Sequence, residues 1–162
     1  VINQRFDSVR DAVFRSHPWN SLITRAALSK DSSSPTFGYE NQFILPTDPF
    51  CLRVLEFSNG TLTYPMDNMT SIDGSPVFVN EGTVKIKYVG QVTDTTQYDS
   101  NLTETLSARL AHEICYAITG STSLMTQTYQ LYQEKLKEAR FVDATEGAPQ
   151  RIEASDFIEA RF

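Results

Sequence analysis

The residues most able to do chemistry sit in one short run, His112-Glu113 followed by Cys115-Tyr116. His-Glu opens the zinc-protease pattern, in which two histidines four residues apart on one helix face hold the metal and the glutamate serves as base. Here the second histidine's position is Tyr116, so the pattern fails at a ligand. A zinc site built on Cys115 would need further ligands, and the other histidine, His17, stands beside Pro18 in a turn. No metal and no cofactor are expected. Cys115 reads instead as a buried residue of a helix pair, with His112 at its rim. The glycines are scattered, mostly at turns, and make no phosphate loop, and no Gly-x-Ser-x-Gly elbow occurs. No motif fixes two carboxylates across a substrate. An enzyme is not expected, and the chemistry left is binding.

Those residues belong to a stretch, 98–146, that reads as a helical hairpin. Asp99 or Ser100 can cap a first helix, along which Leu102, Leu106, Leu110, Ile114 and Ile118 recur every four residues as one apolar stripe. Gly120 can leave that helix in the left-handed conformation. Ser121 can cap a second helix at once, with Leu124, Thr128, Leu131, Tyr132, Leu136 and Ala139 as its buried line. So short a connection makes the helices antiparallel neighbours.

At 162 residues and 40% hydrophobic content, the chain can build one core, with or without a small appended lobe. Its net charge of -6 argues against a surface that wraps nucleic acid by neutralising phosphates, although an acidic surface can border DNA without gripping it. Cys51 and Cys115 fall in different expected elements and neither has a CxxC neighbour, which points to reduced thiols and assembly in a reducing cytoplasm. No apolar run approaches the roughly 20 residues of a membrane span, and no signal peptide is visible, so no membrane partner is expected. Val1 is not a methionine; either residues are missing upstream or the first helix of the fold is shortened.

Ile2, Phe6, Val9 and Val13 share a face of a helix expected over 3–16, with Arg5, Asp7, Arg10, Asp11 and Arg15 on its solvated faces. Pro18 stops that helix. Trp19 is expected to pack the turn onto the hairpin while its indole N–H finds one partner. Residues 21–28 suit either a helical turn or extended chain, and the extended reading is preferred. Residues 30–36 form a solvated loop, and 37–50 a loop packed by its own aromatics. Those aromatics could also serve a carbohydrate platform, but no matching polar set accompanies them. From Cys51 the period becomes two. Leu52, Val54 and Glu56 share one side of a strand, Ser58-Asn59-Gly60 turns, and 61–64 returns as a second strand. Residues 65–76 read as loop and 77–79 as a third strand. Residues 83–92 read as the longest strand, with Val84, Ile86 and Tyr88 opposite Lys85 and Lys87, as in a sheet with one wet side. After Gly147, the apolar Ile152, Phe157, Ile158 and Phe162 are more than a free tail needs, and are expected to dock on a partner subunit.

The whole predicts an α+β chain: an antiparallel helical bundle from 1–30 and 97–147, a small antiparallel, sandwich-like β lobe inserted at 31–96, and an extended C-terminal tail at 148–162.

Several ordered blocks point further. Phe6 to Val13 followed by His17-Pro18-Trp19-Asn20, Arg25-Ala26-Ala27-Leu28, Phe37-Gly38-Tyr39 and Gln42-Phe43-Ile44-Leu45-Pro46 come first. Cys51-Leu52-Arg53-Val54-Leu55, Ile86-Lys87-Tyr88-Val89-Gly90-Gln91-Val92-Thr93-Asp94, Leu106-Ser107-Ala108-Arg109-Leu110-Ala111 and Ala117-Ile118-Thr119-Gly120-Ser121 follow in order. Together they resemble the tail tubular protein A family of short-tailed phages, over nearly the whole chain and without a single diagnostic motif. The resemblance implies a virion head-to-tail adaptor: a homo-oligomeric ring, a dodecamer in that family, between the portal protein and the tail nozzle protein. DNA would pass through it without specific binding during genome ejection. It also implies a helical bundle with a small β lobe, location in the neck of the virion, and assembly in the host cytoplasm. That family has a further helix before the one containing Phe6; without it, one face of the bundle would be exposed or covered by a neighbouring subunit. Ile152, Phe157, Ile158 and Phe162 lie outside the matched blocks and are assigned to portal binding on apolar content alone. The alternative function is another virion connector or head-completion protein with the same hairpin and different neighbours.

Overall fold

The computed structural model describes residues 2–60, 63–65, 77–80 and 82–147, with 63–65 and 77–79 as backbone only. The chain is mixed α and β. The described helices are α1 (Ile2–Arg15), α2 (Ser100–Thr119) and α3 (Thr122–Glu146). The strands are β1 (Ile23–Ala27), β2 (Ser29–Lys30), β3 (Asn41–Ile44), β4 (Phe50–Ser58), β5 (Thr63–Pro65), β6 (Val77–Val79) and β7 (Lys85–Gln91). The main sheet has the order β1-β7-β4-β5 and a smaller one the order β2-β3-β6, with antiparallel pairing throughout. β1 settles the ambiguity at 21–28 in favour of extended chain: after one 3-10 turn at Asn20–Leu22 it joins the edge of the main sheet.

Among the described residues, two apolar cores flank the main sheet. The helices cover one side, where Val9, Val13, Phe14, Trp19, Leu102 and Tyr132 meet Leu52 and Val89. On the other side Phe43 and Leu45 close over Cys51, Val54, Phe57, Ile86 and Tyr88. The expected alternation holds, with Val84, Ile86 and Tyr88 buried together and Lys85 exposed opposite them, but that opposite side is wet only in part, since Val89, two residues beyond Lys87 on it, is fully buried under the helices. Leu52 and Val54 do not share a side either. β4 carries register shifts between Cys51 and Arg53 and between Val54 and Glu56, and each extra residue reverses which face the following side chains take. The stretch 37–50 is not all loop. It contains β3, whose Phe43 is buried because it bridges the two sheets, whereas Phe37 is exposed. β4, not the strand after residue 83, is the longest. Residues 61–62, 66–76 and 81 lie outside the described residues.

α1 buries Val9, Val13 and Phe14, while Ile2 stays exposed. Arg10, expected on a solvated face, is buried. Its guanidinium bonds Asp7 at 3.0 Å and Asp11 at 2.9 Å and lies over the Phe6 ring. Asp11 also accepts from Gln91 Nε2 at 2.7 Å, so the cluster ties α1 to β7. The Trp19 indole donates to the Val13 carbonyl at 3.1 Å, which gives a fully enclosed N–H its partner.

The hairpin's local signals are realised. Asp99 caps α2 by accepting from the Asn101 amide, and Ser121 caps α3 by accepting from the Leu124 amide. Gly120 has φ 63°, a left-handed conformation that side chains with a Cβ adopt at a cost. Between the helices, Thr105 is enclosed, donates to the Asn101 carbonyl at 2.8 Å and lies 3.3 Å from the Lys135 carbonyl.

Candidate interaction surface

α3 is fixed to the body at its C-terminal end. Asp143 Oδ2 lies 2.9 Å from His17 Nε2, and Asp143 Oδ1 accepts from the Asn20 amide at 2.9 Å. The Asn20 side-chain amide donates to the Asp143 carbonyl at 2.6 Å, and Arg140 donates to the Ser16 carbonyl at 2.8 Å. The turn that Pro18 creates is thus clamped to the last turns of α3. His17 is committed to this clamp. His112 lies against α3 far from it, with Nδ1 3.2 Å from the Met125 carbonyl and its ring against Tyr129. Residues 125 and 143 are about 27 Å apart along α3 at 1.5 Å per residue, so the two histidines cannot share a metal. Glu113, the would-be base, is paired with Arg109 at 2.7 Å. Arg109 also lies over the Tyr132 ring.

At the other end the hairpin projects. Leu110 is the last residue of α2 packed against the helix-side core, and α2 runs about 15 Å beyond it to Gly120. Here the expected stripe breaks down. A four-residue step overshoots one helical turn by about 40°, so Ile118 has rotated roughly 160° from Leu102. Leu102 and Leu106 are buried, Leu110 and Ile114 half-buried, and Ile118 is 70% exposed. On α3, Tyr132, Leu136 and Ala139 are buried as expected, but Leu124 and Leu131 are exposed. Those two are seven residues apart and share a face. With Tyr116, Met125 and Tyr129 they leave large apolar side chains in solvent on both sides of the Gly120-Ser121 turn. Sequence reasoning placed Ile118, Leu124 and Leu131 inside and used Tyr116 only as a failed ligand. The available signal was a surplus: the hairpin carries more apolar residues than one buried seam can take.

Cys51 and Cys115 are free and buried, as expected. Burial pushes the Cys51 thiol up to about 11, with the Arg53 amide and the Arg15 charge pulling weakly the other way. Ile152, Phe157, Ile158 and Phe162 lie outside the described residues.

Comparison with protein-family models gives no match, and comparison with curated proteins gives none.

Proposed function

We propose that this chain is a structural subunit of a phage head-to-tail adaptor, which acts by binding and not by catalysis. Subunits would pack side by side into a closed ring, probing each neighbour with the hairpin tip, between portal and tail nozzle. The observation that carries this reading is the exposed apolar surface of Tyr116, Ile118, Leu124, Met125, Tyr129 and Leu131 around one turn. Apolar surface concentrated on a projecting element marks a protein contact, because burying it against another chain recovers the hydrophobic free energy that solvent exposure forgoes. A heterologous contact repeated around a closed ring covers such a patch in every copy. The ordered blocks from Phe6 to Ser121 that resemble the tail tubular protein A family support the same reading, as does the pairing of a helical hairpin with a small sheet.

In this arrangement residues 1–30 and 97–147 form the helical part, with β1 as the strand that ties it to the sheet. Residues 31–96 form the β lobe, facing the nozzle, and 148–162 the tail, whose Ile152, Phe157, Ile158 and Phe162 contact the portal. The net charge of -6 suits a channel through which DNA slides without being held. The protein would reside in the virion neck after assembly in the host cytoplasm.

Co-purification with tagged portal and tagged nozzle protein tests this. An adaptor binds portal, and its complex with portal then captures nozzle. Binding to neither sinks the reading, and binding to a capsid or completion protein alone would transfer it to another virion connector.

A further inference from the structure

The helix-facing side of the main sheet is covered only in part. Val89 and Leu52 lie under the helices, but two and four residues back along β7 the same side carries Lys87 and Lys85. In register with them stand Arg25 and Ala27 on β1 and Glu56 and Ser58 on β4. Lys87 pairs with Glu56 at 3.0 Å, while Arg25 and Lys85 are exposed. Arg25 directly opposite Lys87 is a like-charge pair, unfavourable in a cross-strand rung. Three cations therefore share these two rungs with one carboxylate, in a chain whose net charge is -6.

The helical layer ends at the border of this face. Gly147, the C-cap of α3, lines a concavity of about 350 Å³ together with Ile23, Leu55 and Lys87. Through Glu56 and Lys87 it adjoins a second concavity, of about 340 Å³, lined also by Arg25 and Lys85. The sequence that follows Gly147 has complementary chemistry. Residues 152–160 contain Glu153, Asp156 and Glu159 with no cation among them, interleaved with Ile152, Phe157 and Ile158. Reach is not limiting. Five residues of extended chain span up to about 17 Å and ten up to about 35 Å, against roughly 10 Å across three adjacent strands.

We propose that the β1-β7-β4 face bearing Arg25, Lys85 and Lys87 is a docking surface for the chain's own segment 152–159 in the unassembled protein. The carboxylates of the segment meet the unbalanced cations, and its apolar residues enter the concavity that Ile23 and Leu55 help to line. The proposal does not depend on what the segment contacts in an assembly.

Disulfide trapping in the full chain tests it, because Cys51 and Cys115 are buried and do not compete. The double variant Ala27→Cys with Phe157→Cys is compared with Ile118→Cys with Phe157→Cys, each shown to melt as wild type does. At low micromolar protein, the sheet pair should close within one chain at least about tenfold faster than the tip pair, as expected when docking raises the local concentration. Adding Arg25→Glu and Lys85→Glu, or working in molar salt, should remove most of that advantage. Equal rates for the two pairs overturn the proposal. So does a predominance of crosslinks between chains, which would give the face to a second copy.

Discussion

Replacing Asp143 with alanine should loosen the hairpin from the rest of the molecule. The side chain accepts from the Asn20 amide and faces His17 Nε2, both at 2.9 Å, and is nearly buried. Hydrogen bonds to a charged group are each worth roughly 1.5–3 kcal/mol net, and the Asn20 amide can regain water because Asn20 is exposed, so the expected loss is about 2–4 kcal/mol. For a chain of this length that is a fall in melting temperature on the order of 5–15 °C. Asp143→Asn keeps an oxygen for the Asn20 amide and should recover about half of the loss. Urea unfolding followed by circular dichroism supplies the free energies. The bond from Asn20 Nδ2 goes to the Asp143 main-chain carbonyl and survives both changes. A loss under about 0.5 kcal/mol for Asp143→Ala would show that this clamp does not hold α3 to the body, and a loss in Asp143→Asn equal to that in Asp143→Ala would refute the assignment of the Asn20 bond.

Gly90→Ala should cost about 1–3 kcal/mol, read as a lower urea midpoint, because a Cβ there would stand 3.1 Å from Pro49 Cγ and 3.2 Å from Pro49 Cβ in a packed turn. The Cys51 thiol should react with thiol reagents far more slowly than a free cysteine at pH 8, measured by mass spectrometry, since burial holds it protonated. Its raised value has a consequence for stability of definite sign. The folded chain keeps a proton that the unfolded chain releases, so this contribution is intact below pH 9 and falls away as pH rises towards 11, by roughly 2–3 kcal/mol at most. Ile118→Glu with Leu124→Lys should leave the melting temperature within a few degrees of wild type, because both side chains are exposed, yet abolish self-association in sedimentation experiments.

The hairpin was legible because its signals are local. Asp99, Gly120 and Ser121 act on backbone groups within a few residues, and nothing distant changes their work. The extent of its buried face was not legible, since Ile118 and Leu124 are apolar and correctly spaced but lie beyond Leu110, the last α2 residue packed against the helix-side core. Alternation located β4 and failed to orient it, because two register shifts have no composition signature. Arg10 looked like a surface charge until Asp7, Asp11 and the Phe6 ring enclosed it. The clamp joins residues more than a hundred positions apart, and neither Asp143 nor His17 marks the other in the sequence. The apolar surplus that makes the tip a candidate contact was present in the sequence, hidden by assigning every leucine to a core.

The most direct measurement is an image of the tailed particle carrying a dense label fused to this chain. The adaptor account predicts label in a closed ring at the junction of portal and tail nozzle. Label spread over the capsid shell, or absent from purified particles, would contradict it.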